Sequence, residues 1–426
     1  MSRLSKLILL ILILAAAMGI SFLLIKNKKN SDLNNNLVNF LQDYIRINTS
    51  HPHPDYGNAI SFLKNQAEKD SFIYQEIILP SQNKALIIKL EGSDKTLPAI
   101  AFNHHMDVVP AKDNGWIAPP FAAEIHNGNI IGRGAQDMKG IGAVHYFALK
   151  ELKEQGFNPK RSIYIFVVPD EEVGGFKGTK EFVNTDAFKK LNIGYVVDEG
   201  HASGSSDFLD IKVAERKPIQ IRITAKGELA HGSHLMCNNA SHDIISFLNK
   251  ILEIHVQQQN QISNKQAGEL LSCNITSLTS GVKDDTGKVS LNMVPEIAEA
   301  TIDIRVPPAM KKQEIINILD KLLKSYNNLS YKILAQADEE PEIDDYETDL
   351  YKALSKAIKS FNLKVKPHFF EASSDLRFYQ ALGIKGVGLT PFAIEDNIHG
   401  INESVPVAQL INGKNIFVKF IKEFCG

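Results

Sequence analysis

The sequence predicts an α/β domain with a mostly parallel sheet flanked by helices, an inserted ferredoxin-like α+β domain, and an N-terminal transmembrane helix. Three observations carry that expectation. Short, nearly continuous apolar runs such as Ile163–Val168 and Ile193–Val197 read as strands buried on both faces. Segments with apolar residues at helical spacing alternate with them, which implies a helix-covered sheet. From about Ala214 to Asp338 the rhythm changes to strand-helix-strand-strand-helix-strand, a split unit of its own.

Taken in order, Arg3 and Lys6 precede an apolar run from Leu7 to Ile25, interrupted only by Gly19 and Ser21 and closed by Lys26, Lys28 and Lys29. A run of that length can cross a bilayer as one helix. It reads as an uncleaved signal anchor, or as a signal peptide cleaved near Ala15-Ala16-Ala17. Lysines at both ends nearly balance the positive-inside rule, and the globular part is expected outside the cytoplasm. Residues 27–36 form a polar linker. Leu37, Phe40, Leu41, Tyr44 and Ile45 then fall at helical spacing, Ala85–Leu90 and Ala99–Asn103 read as strands, and Ile141, Val144, Ala148 and Leu152 make a helix stripe. In the insert, Ile219–Thr224, Leu270–Leu278, Ala298–Val306 and Tyr331–Ala335 read as strands, and Ile244–Ile254 and Gln313–Leu323 as helices. Tyr346–Phe361 is helical, and α/β character returns after it. The expected division is 1–26 anchor or signal, 27–36 linker, 37–213 and 339–426 the two parts of the main domain, and 214–338 the insert.

Charge narrows the function. Lys+Arg number 47 and Asp+Glu 49, so a net charge of −2 argues against nucleic acid as a partner. Cys237, Cys273 and Cys425 lie far apart, which excludes a disulfide scaffold and a thiolate zinc module.

Acids and histidines concentrate in five short segments, four of them just beyond an expected strand. In Asn103–Pro110, His105 and Asp107 are two apart and share a face, so a carboxylate can hold the second ring nitrogen of a metal-binding histidine. Gly132–Gly140 is a glycine-rich turn into a helix that lacks phosphate-loop and dinucleotide spacing and presents Asp137. In Val168–Gly175, three consecutive acids follow a buried strand. They must be solvated, protonated or bound to a cation, and one of Glu171 and Glu172 can bind metal while the other serves as a base. Asp198-Glu199 follows another strand, and His399 lies in Asp396–Gly400. Carboxylates and two histidines at strand C-termini match where open α/β sheets build sites. Mixed nitrogen and oxygen ligation suits zinc, cobalt or manganese.

These segments, together with Ala230–Ser233 and Ala372–Phe378, make the chain resemble the aminoacylase, carboxypeptidase S and dipeptidase family of two-zinc amidohydrolases, nearest the aminoacylase branch. The resemblance runs from Leu37 to Phe424 and excludes the apolar N-terminus. It implies His105 as a ligand of one Zn2+ (or Co2+ or Mn2+), Asp107 as the acid orienting it, and Asp137 as the bridge, with a cis bond to Met138. It implies Glu171 as general base, Glu172 and His399 as ligands of the second ion, and Glu199 or Asp198 as the remaining ligand of the first. His231 would stabilise an oxyanion, often in the partner subunit's site, and Asn292, Arg305 and Arg377 would bind substrate, the arginines gripping its carboxylate. The implied activity is hydrolysis of the amide of N-acyl-amino acids. Cleavage of short peptides as a carboxypeptidase or dipeptidase is the alternative, a catalytically silent anchored binding protein is a third reading, and a homodimer is implied by analogy.

Overall fold

The computed structural model describes residue 28 and residues 30–112, 114–235, 238–336, 346–392 and 397–426. The expected anchor over 1–26 lies outside the described residues. Among the described residues no helix is long and apolar enough to cross a membrane. The chain divides into two compact units. One comprises Met1–Glu172, Ala202–Ser206 and Pro391–Gly426, the other Val173–His201 and Asp207–Thr390.

In the first unit a helix over 30–46 buries Leu37, Phe40, Leu41, Tyr44 and Ile45, the stripe read from the sequence. A second helix, Tyr56–Lys69, is capped by Asp55, whose carboxylate accepts from the Asn58 N–H. The strands run in the order Ile73–Ile78, Lys84–Leu90, Ile163–Val168, Ala99–His105. Only the last pair is parallel; the first two pairs are antiparallel. A mostly parallel sheet was expected, and the pairing is mixed. The reason is local: residues 79–83 are too few for a crossover, so Ile73–Ile78 and Lys84–Leu90 form a hairpin. The helices Lys139–Glu154 and Val407–Cys425 pack together. Buried Lys139 donates to the carbonyls of Ile47 (2.7 Å) and Tyr44 (3.1 Å), and burial brings its ammonium pKa down to about 7. Gly140 lets that helix start close to the preceding turn, since a Cβ there would lie 2.0 Å from the Ala135 carbonyl oxygen.

In the second unit the strands Ile193–Asp198, Lys385–Gly388, Phe208–Glu215 and Lys364–Phe370 lie side by side in that order. A separate four-stranded antiparallel sheet has the order Ser272–Ser280, Ile297–Val306, Lys217–Lys226, Leu329–Gln336. With the helices Ala240–Gln259 and Lys312–Leu323 the chain order is strand-helix-strand-strand-helix-strand. One face of this sheet is apolar: Ile219, Ile221, Ile223, Ala300, Ile302 and Ile304 pack with Phe247, Leu248 and Leu319. The other face carries Asn274, Asp303 and Arg305, as a period of two requires. Phe247 is fully buried in this cluster. Phe247→Ala is expected to cost about 3–5 kcal/mol, read as a lowered midpoint in urea unfolding of the full chain.

Candidate active site and metal centre

Asp137 occupies the turn that feeds the helix Lys139–Glu154, and its peptide bond to Met138 is cis, as the resemblance implies. Its two carboxylate oxygens face different histidines. Oδ1 lies 3.0 Å from His105 Nε2, and Oδ2 lies 2.9 Å from His399 Nε2. His399 Nε2 is also 3.3 Å from Glu172 Oε2. Asp137, Glu172 and His399 therefore converge on a volume that a cation can fill. Burial pushes the Asp137 carboxyl up, but the bonds from His105 and His399 outweigh it and hold it well below the ordinary range. Burial and the Asp137 charge push Glu172 up. Hydrogen bonds to Asp137 and Glu172 raise the His399 imidazole to about 10.

The donor set fits divalent cations. Nitrogen and oxygen ligands without thiolate suit zinc and its relatives. Glu172 Oε1 is buried and makes no hydrogen bond to any described residue, and an orphaned carboxylate oxygen beside a histidine suits a cation. A cation would take the place of the proton on His399.

Asp107 is fully buried and works differently from the expectation. Its carboxylate was expected to orient His105; instead its backbone carbonyl takes that bond, from Nδ1–H at 2.9 Å, while the nearer carboxylate oxygen stands 3.7 Å away. The carboxylate accepts the backbone N–H groups of Glu171 (3.1 Å) and Glu172 (3.0 Å). It thus holds the turn Glu171–Val173 that carries the expected base and ligand. The preceding Asp170 is left-handed, φ 74°, and its N–H donates to the Tyr56 hydroxyl at 3.1 Å. His51 Nε2 lies 3.0 Å from the second oxygen of Asp107.

The sequence reading missed a second support. Glu403 is fully buried. One oxygen accepts the N–H groups of Gln136 (2.9 Å) and Asp137 (3.2 Å); the other accepts Arg133 Nη1 (2.6 Å). Arg133 Nη2 in turn donates to the His399 carbonyl at 3.0 Å. One ion pair therefore ties the Asp137 turn to the His399 segment. Glu403 lies four positions after His399, but nothing in the sequence joins Glu403 to a turn some 270 positions earlier.

The remaining expected residues lie in the second unit. Glu199 is half-buried just beyond the strand Ile193–Asp198. Asp198 is buried and turned to Ser374, whose hydroxyl is 3.4 Å away and also meets Lys212 (2.5 Å) and Glu215 (2.9 Å). That network is internal, so of the two acids Glu199 is the better candidate ligand. His231 is exposed, and its Nδ1 faces the Ser233 hydroxyl at 2.8 Å and the Ser233 N–H at 3.2 Å. The Asn292 side-chain Nδ2 lies 3.4 Å from His231 Nε2. Arg305 pairs with Asp303, Nε to Oδ1 at 2.6 Å and Nη2 to Oδ2 at 3.2 Å. Arg377 is buried, its two terminal nitrogens donating to the carbonyls of Ser374 (2.6 Å) and Gly174 (2.7 Å). It fastens two turns of its own unit. Asp396, in the same motif as His399, lies outside the described residues.

Two histidines sharing one carboxylate, with a second buried carboxylate and an acid on the adjoining turn, define a metal-dependent hydrolase on an α/β scaffold. Comparison with known proteins narrows the class. The chain belongs to peptidase family M20/M25/M40, whose model matches residues 101–423. It is 31% identical to Aminoacylase-1 of Dictyostelium discoideum, covering 92% of this chain and 98% of that one. It is 30% identical to Aminoacylase-1A of Rattus norvegicus, covering 90% and 94%. A solved M20 family metallo-carboxypeptidase from Sulfolobus solfataricus shares the fold, with a TM-score of 0.70 at 17% identity over 91% of this chain and 98% of that chain.

Two predictions follow from the supports. Asp107→Asn removes one of the two acceptors for the Glu171 and Glu172 N–H groups and is expected to lower kcat about 10–100-fold with KM little changed, in steady-state assays. Glu403→Gln leaves Arg133 buried without its counter-charge and is expected to cost about 3–5 kcal/mol in chemical unfolding. Its second metal should be lost first when metal content is followed against increasing chelator.

Proposed function

We propose that the protein is a two-zinc hydrolase of the amide bond of N-acyl-amino acids, with Co2+ or Mn2+ as possible substitutes for Zn2+. The observation that carries this reading is the Asp137 carboxylate, one oxygen toward His105 and the other toward His399. In this reading His105, Asp137 and Glu199 hold one ion, and Asp137, Glu172 and His399 hold the other. The 31% and 30% identity to aminoacylases supports the acyl-amino acid over other amides.

When bound, two divalent cations supply a water that ionises near neutral pH and a Lewis acid for the amide carbonyl. The chain's residues do the rest. Glu171, fixed through its backbone by Asp107, accepts the proton of the attacking water on its carboxylate. It returns that proton to the leaving nitrogen, so one group serves as base and then acid. His231 donates a ring N–H to the developing oxyanion, and Ser233 keeps that ring in place. An arginine fork holds the substrate carboxylate and so selects terminal amides.

Short peptides with a free C-terminus present the same carboxylate and amide, and the match to a peptidase family supports them as the second reading. The apolar run Leu7–Ile25 supports a single-pass anchor with the catalytic part outside the cytoplasm, or secretion after cleavage. The insert 214–338 is proposed as a lid, and a homodimer follows by analogy with the family.

The test is turnover on a panel of N-acyl-amino acids and dipeptides, with added zinc and with chelator. Activity should require the metal and be highest on acylated amino acids; rates indifferent to chelator overturn the two-metal reading. Glu171→Gln should retain both metals and lose at least about 10²-fold in kcat, with metal content and rate measured on the same preparation.

A further inference from the structure

The histidine of the second cation stands in a strained stretch of backbone. Within six residues, Asn397 (φ 54°), His399 (φ 62°) and Asn402 (φ 63°) are all left-handed without being glycine. Such residues persist only where their surroundings over-determine them. His399 is also exposed, whereas His105 is buried, so core packing does not hold its ring. Hydrogen bonds hold the segment instead. Gly400 N–H donates to the Asn397 carbonyl at 2.7 Å, and Gly132 N–H to the Glu403 carbonyl at 2.8 Å. Arg133 donates to the His399 carbonyl. One short turn of the same compact unit completes this support, and its three consecutive residues each meet a different part of it. Gly115 is left-handed (φ 93°), and a Cβ there would lie 3.2 Å from Ile401 Cδ1. The Trp116 ring lies over the Arg133 guanidinium, its centroid 5.5 Å from the guanidinium carbon. Ile117 N–H donates to Asn402 Oδ1 at 2.7 Å.

Nε of Arg133 is buried and donates to no described residue, so the π face of Trp116 meets a cation with one donor otherwise unmatched. We infer that Gly115–Ile117 is a clasp that presents His399 to the second cation, with Trp116 and Asn402 as its positioning residues. Trp116 steadies the guanidinium that holds the His399 carbonyl, and the Asn402 side chain anchors the far end of the left-handed segment to the turn. Neither is a ligand; both act through His399. This deepens the two-metal reading, on which it rests, for its second site.

The experiment reads metal binding rather than turnover. Co2+ is titrated into the metal-free full chain and followed by visible absorption, and the ion lost in His399→Ala defines the second site. Asn402→Gly removes the acceptor while leaving the left-handed backbone unstrained. It is expected to weaken the second ion about 10–100-fold and the first less than about threefold. Asn402→Asp keeps an acceptor oxygen and should restore most of the loss. Trp116→Leu should weaken the second ion about tenfold, and Trp116→Phe less, because a π face remains. Trp116 is the single tryptophan of the chain, so its emission reports the turn directly. Asn402→Gly should shift that emission to longer wavelength, and Asn402→Asp should return it. Equal weakening of both ions, or a second site as tight in Asn402→Gly as in the parent, overturns the inference. Weakened binding with unshifted emission overturns it too, because Asn402 then acts without the turn. Where circular dichroism shows Asn402→Gly unfolded, the Trp116→Leu and Trp116→Phe pair decides by the same criteria of affinity. A parent that binds no more Co2+ than His399→Ala overturns the inference together with the two-metal reading. Selective loss of the second ion in a chain that hydrolyses no acyl-amino acid upholds the inference, and the substrate reading falls alone.

Discussion

The metal centre depends on one carboxylate being pulled in two directions. Asp137 is short, so an oxygen within about 3 Å of each histidine requires its backbone to sit directly between them. The turn that achieves this has no room for a larger side chain in place of Gly140, and its N–H groups point down into the protein rather than toward solvent. Buried N–H groups must find acceptors, and Glu403 accepts two of them. Burying Glu403 then requires a buried cation, and Arg133 is that cation. Because the other arm of Arg133 holds the carbonyl of His399, the same ion pair that satisfies the turn also sets where the second histidine stands.

Asp107 solves the parallel problem on the other strand. Its carboxylate is buried, and among the described residues its hydrogen-bond partners are two backbone N–H groups and His51. Asp107 therefore holds the turn through its side chain while its own backbone carbonyl orients His105. One residue therefore aligns a ligand through its main chain and the expected base through its side chain. The H-x-D spacing serves both purposes, since the residue two beyond the end of strand Ala99–His105 is the first that can turn back toward both.

Much of this was legible in the sequence, and the limits are physical. The strand Ile163–Val168, buried along its whole length, announces itself because both faces are apolar. The hairpin strand Ile73–Ile78 does not, because most of it is exposed or half-exposed. The three-residue strands Glu124–His126, Asn129–Ile131 and Ser404–Pro406 are too short to show a period. Among site residues, acids placed directly after apolar strands were conspicuous, because an acid in such a place demands a reason. Glu403, Arg133 and His51 act across the fold on groups distant in sequence, and a single polar residue in a strand or loop carries no such demand. Arg377 shows the converse: its residue type suggested a carboxylate fork, yet burial against Phe378 and two backbone carbonyls makes it a fastener.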